Sequence, residues 1–89
     1  MDDARRVALV ASLRAEYERA DRLAADVQTF RAEASIPANN ELRYAGKHLL
    51  DATTDEGAVD DEASLVSAVN HCRRASYEAV EAGILHALL

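Results

Sequence analysis

Residues 10–27 read VASLRAEYERADRLAADV. Val10, Leu13, Tyr17, Ala20, Ala24 and Val27 recur at steps of three and four, and Leu9, Leu23 and Phe30 flank the same stripe. Arg14, Glu18, Arg22 and Asp26 take the other side. This is the period of a helix with one buried face. No Gly or Pro interrupts the chain from Asp3 to Ala34. The pattern predicts a helix over about 3–34, roughly 48 Å long at ~1.5 Å per residue.

Ser35-Ile36-Pro37 breaks that helix. Proline disfavours helical geometry in the residue before it and suits the first turn of a new helix. A second helix is expected over 37–53, with Leu42, Ala45, Leu49 and Ala52 on one face and Tyr44 and Leu50 off it. A helix apolar on most sides is either central or covered by another chain. Thr53 to Asp61 forms the second break, with Gly57 among clustered acids. Asp60 or Asp61 should cap a third helix over 61–89, where carboxylates complement the helix dipole. Its inner stripe is Leu65, Val69, Cys72, Ser76, Ala79, Val80, Gly83 and Ala87. Short connections make antiparallel neighbours. The expected fold is all-α: a three-helix antiparallel up-down bundle in a single helical domain.

The core of such a bundle is thin. Of the 89 residues, 49% are hydrophobic but only 4% aromatic. Alanine lets helices approach closely yet buries little area per residue. A chain this short also buries only ~60–65% of its unfolded surface. The net charge of −6 is concentrated in and beside an acidic loop at 54–61, through Asp55, Glu56, Asp60, Asp61 and Glu62. The rest is near neutral, so charge does not exclude nucleic acid. Cys72 is the one cysteine, which rules out an internal disulfide and a multi-cysteine zinc site. It also fits a reducing, cytoplasmic setting. Met1-Asp-Asp-Ala-Arg-Arg6 lacks the apolar core of a signal peptide. No stretch reaches the ~18–20 apolar residues of a membrane span.

A second helix of roughly 24 Å cannot cover two partners of roughly 48 and 42 Å. Part of their apolar stripes is therefore expected to meet another surface. Ile84, Leu85, Leu88 and Leu89 point around the whole circumference of the last helix with no stop signal after them. This suggests either the N-terminal part of a longer protein or an end buried in an assembly, with one face against Val10 and Leu13. Tyr44, Leu50, Tyr77, Ile84, Leu85, Leu88 and Leu89 are the interface candidates. A homo-oligomer, a protein partner or a downstream domain would cover them.

Arg43-Tyr-Ala-Gly-Lys-His48 places an arginine and a histidine on the second helix with four residues between them. Here the chain resembles the HEPN superfamily, small helical domains of which many are metal-independent ribonucleases. Their signature is an arginine followed four to six residues later by a histidine, at a dimer cleft. The resemblance implies Arg43 and His48 as catalytic residues acting on RNA, the guanidinium holding phosphate and the imidazole titrating near neutrality. Tyr44 departs from the pattern, which often has a polar residue there, and three helices are fewer than the family usually has. Some members lack the motif and serve as dimerisation units.

Asn70-His71-Cys72-Arg73-Arg74 is the second candidate. A hairpin around Gly57 brings Arg43 level with Cys72, so Lys47, His48, His71, Arg73 and Arg74 would gather at one height and could hold phosphate. Against this, Arg73 and Arg74 diverge by ~100°. Arg74 has Glu78 four residues on, and Arg73 can lie over Tyr77. A metal site from His48, His71 and Cys72 is not expected, because no His-x3-His or Glu-x2-His spacing exists. No cofactor is expected. These residues point to a helical interaction and oligomerisation module, with a ribonuclease whose site spans a dimer as the alternative.

Overall fold

The computed structural model describes the backbone of residues 1–31 and 35–88 and the side chains of 1–29 and 35–85. It is an all-α bundle of three helices: α1 (Asp3–Arg31), α2 (Ile36–Ala52) and α3 (Glu62–Leu88). The three helix starts and the end of α2 lie within one residue of the sequence expectation, while the expected ends at 34 and 89 lie outside the described residues. Each described end has a local cause. Asp2 Oδ1 accepts from the Arg5 amide at 2.7 Å at the start of α1. At α2, Ser35 Oγ accepts from the Ala38 amide at 3.4 Å, with Pro37 in the first turn. Thr53 ends α2 in extended geometry, its hydroxyl donating to the Leu49 carbonyl at 2.8 Å. Asp61, not Asp60, caps α3. Its carboxylate accepts from the Ser64 amide at 3.3 Å and the Ser64 hydroxyl at 3.0 Å. Those bonds hold the Asp61 carboxyl below its ordinary range, the amide contributing most.

The acidic loop is a tight reversal rather than a loose segment. Thr53 and Val59 pair as an isolated antiparallel bridge, and the Thr54 amide donates to the Ala58 carbonyl at 2.7 Å. Gly57 closes it at φ 84°, where a side chain is strained. The start of α1 docks against it. Arg5 Nε bonds Glu62 at 2.7 Å, and Arg6 Nε donates to the Val59 carbonyl at 2.7 Å while pairing with Asp3. Part of the loop's negative charge is thereby answered within the chain.

The central helix is α3, not α2. It packs along both α1 and α2, whereas α1 and α2 meet at few points. Leu65, Ala68, Val69, Cys72, Ala75, Ser76 and Ala79 are buried along it. This spacing of three and four serves two partners because most members are small enough to admit a helix on each side. One core group joins Leu9, Leu13, Ala45, Ala52, Leu65 and Cys72, and a smaller one joins Val27, Ala38 and Ala79. In an up-down-up bundle α1 and α3 run parallel, so the end of α3 lies beside the end of α1. A Cβ on Gly83 would stand 3.6 Å from Val27. This corrects the expectation that the C-terminal end lies against Val10 and Leu13, which sit at the opposite end of the bundle.

Among the described residues, three assigned to buried stripes are exposed. Tyr17 is 46%, Leu49 37% and Val80 46% exposed. Periodicity assigns a side to a residue but not the width of the partner: α3 is too narrow to reach Tyr17 and Leu49, and Val80 lies on an edge of α3 that its partners leave open. The radius of gyration, 14.4 Å over extents of 48 × 21 × 16 Å, exceeds the roughly 12 Å of a compact chain of this length. No described helix is long and apolar enough to cross a membrane.

Ser76 Oγ is buried with no hydrogen-bond partner among the described residues. An unpaired buried hydroxyl costs about 1–3 kcal/mol. Ser76→Ala is therefore expected to raise stability by about 1 kcal/mol, a gain of roughly 4–8 °C in Tm for a domain of this size. A thermal scan in which Ser76→Ala melts below the parent would show that the hydroxyl is satisfied.

Candidate functional site

Two features of the surface carry chemistry or shape. The first is an apolar seam between α1 and α2, on the side away from α3. Val10, Leu13 and Tyr17 line it from α1, Gly46 and Leu49 from α2, and Val59 lines it from the loop. Its volume is about 340 Å³. Two causes open it. The small helix-facing residues Ala45 and Ala52 draw α2 down onto α3 rather than across to α1. Gly46 then contributes no side chain, and a Cβ placed on it would meet nothing within 4 Å. Arg14 and Glu18 stand on the α1 rim, bordering both the seam and the outer face of α1 beside Val7 and Ala11.

The second feature is a corner where α2 crosses α3. The rings of His48 and His71 stack with centroids 5.1 Å apart and planes 12° apart. Tyr44 lies tilted against His71 at 5.5 Å. Glu41 Oε2 approaches His71 Nδ1 to 2.5 Å, with both side chains largely covered. A carboxylate at that distance accepts from the Nδ1–H and fixes the orientation of the ring. Glu41 carries no motif and was not singled out in the sequence. The signal available was its spacing, since Glu41, Tyr44 and His48 step by three and four along one face of α2.

The basic cluster read from the sequence separates. His48 and His71 do meet. Lys47 reaches along its own helix to Asp51 at 3.8 Å, and Arg73 turns to the far side, where it pairs with Glu16 of α1 at 3.6 Å. Arg73 therefore lies over α1 as well as beside Tyr77, which borders the same hollow. Arg43 is exposed on α2, five residues before His48. No cluster of three His, Cys, Asp or Glu side chains suited to a metal exists among the described residues. Cys72 is fully buried, and burial first, then the charge of Glu16, pushes its thiol up to about 11.

The chain matches no family model, and no curated protein or solved structure resembles it at a significant level. Its residues must therefore carry the functional reading alone.

The interface candidates fall on separate surfaces. Tyr44 and Leu50 are exposed on α2, Leu50 at 75%, while Tyr77, Ile84 and Leu85 are exposed on α3. The side chains of Leu88 and Leu89 lie outside the described residues. The seam itself is not legible in the sequence: periodicity puts Tyr17 and Leu49 on buried stripes, and Gly46 is a lone glycine within α2. A glycine in mid-helix costs about 1 kcal/mol against alanine, and that local penalty was the available sign.

Proposed function

We propose that this chain is a helical interaction module, resembling the motif-lacking HEPN-like units, which completes its core by association rather than by catalysis. The observation that carries this reading is the open apolar seam between α1 and α2. Apart from Val59 at one end, its walls are leucine, valine and tyrosine on rigid helices. The surface area supports it. The chain exposes 5892 Å², whereas a folded monomer of its mass exposes about 5100 Å². The excess is surface that the elongated bundle leaves uncovered. Sedimentation equilibrium across a micromolar concentration series is expected to give a mass above that of one chain. A single-chain mass throughout, with ordinary thermal stability, would overturn association as the basis of the fold.

The histidine corner favours a second reading, a metal-independent ribonuclease acting through Arg43 and His48 across a dimer. His48 stacks on a second imidazole that Glu41 orients, which is how an acid–base pair is held in place. Under this reading RNA is cleaved by the parent and spared by Arg43→Ala and His48→Ala. Arg43→Ala should leave stability within about 0.5 kcal/mol, as an exposed position does. His48→Ala also loses a ring contact worth about 0.5–1.5 kcal/mol. Cleavage that survives both substitutions would exclude this site as its source.

A further inference from the structure

We infer that the occupant of the α1–α2 seam is a second copy of this chain, related by a two-fold axis that sets the two α1 helices antiparallel. The inference rests on the interaction-module reading and names its partner. A two-fold contact joins a surface to itself, so the surface must be its own complement. The rim charges meet that condition in one direction only. Arg14 and Glu18 stand one turn apart on the same face. With the helices parallel, equal residues come level, and arginine meets arginine. With the helices antiparallel about an axis near residue 16, Arg14 comes level with the partner's Glu18, and Glu18 with the partner's Arg14. That axis lies beside the middle of α1 (Asp3–Arg31), so the two helices overlap along nearly their whole length.

Shape agrees with charge. Tyr17 and Leu49 project from the walls half-exposed, and Gly46, one turn before Leu49 on α2, leaves open space with nothing within 4 Å of its Cβ position. A tyrosine near the axis can settle over the partner's glycine, an inserted side chain filling a gap on the facing helix. Val7, exposed beside the same rim, comes level with the partner's Ala25 and extends the contact toward the ends.

The experiment is a charge-swap mixing assay read by sedimentation equilibrium, with circular dichroism as the check on folding. Arg14→Glu and Glu18→Arg each place like charges together twice and are expected to weaken self-association about tenfold. An equimolar mixture of the two should recover the parent affinity as a heterodimer. The chain carrying both changes should recover it as a homodimer. Lost helix stability cannot produce recovery on mixing, because it belongs to each chain separately. Gly46→Lys, which fills that open space with a charge, is expected to weaken association at least tenfold while helix content holds. If the parent associates but neither mixing nor Gly46→Lys changes its affinity, this interface is wrong, although the module reading stands. A parent that stays a single chain overturns both.

Discussion

Leu65→Ala is expected to lower the unfolding free energy by about 3–5 kcal/mol, the upper part of the range for removing a buried leucine. Leu65 is fully covered and is one of the two largest side chains buried to that degree; the other is Cys72. Its neighbours in the core group include Ala52, Ala68 and Val69, short side chains on helices that cannot swing into the space. The cavity therefore stays open, and its volume adds to the lost transfer energy. A chain of this length has only about 4–13 kcal/mol of stability, so a large fraction goes with one residue. Urea titration of parent and variant checks it. A loss below about 1 kcal/mol would mean that α1 and α2 close over the gap and that the core is softer than the structure implies.

Alkaline destabilisation through Cys72 is the other large effect. Its thiol, ordinarily near 9, is pushed to about 11 by burial and by the negative charge of Glu16. The folded state thus disfavours the thiolate. Below pH 9 the thiol is protonated in both states and its stabilising effect is complete. Between pH 9 and about 11 the unfolded chain ionises first, and stability falls by an amount on the order of 2–3 kcal/mol. Cys72→Ala removes this slope, so the difference between the two stability–pH curves isolates it from the tyrosines and lysine that titrate nearby. The same burial makes the native thiol slow to react, because the thiolate is the nucleophile. At pH 8 the thiolate fraction should fall about a hundredfold against a free cysteine. Rapid native labelling, or parallel curves for parent and Cys72→Ala, would show that water reaches the α3 core.

The helices were legible because their causes are local. Ser35-Ile36-Pro37 carries both the cap and the proline that start α2, and Asp61 needs only Ser64 to cap α3. The buried cysteine was legible from its stripe. Other features were not. Glu41 meets His71 across 30 positions of sequence, and Arg5 meets Glu62 across 57. Spacing can mark a shared face, as for Glu41, Tyr44 and His48 on α2, but not the partner that meets it from another helix. Arg43 and His48 share a helix, yet what His48 does depends on His71, which the sequence could place at the same height but not in the same stack.

The sequence by itself determined the number of helices, their starts to within one residue, their up-down order and the alanine-rich faces that let them approach. Those follow from backbone geometry, capping and the 3.6-residue period, which act over one or two turns. The tertiary structure alone decided that α3 is the central helix and that α2 leaves α1 uncovered. It also decided that Tyr17, Gly46 and Leu49 form a surface rather than a core. Periodicity says which side of a helix is apolar. Only the relative widths and lengths of three packed helices determine how much of that side finds a partner within the chain.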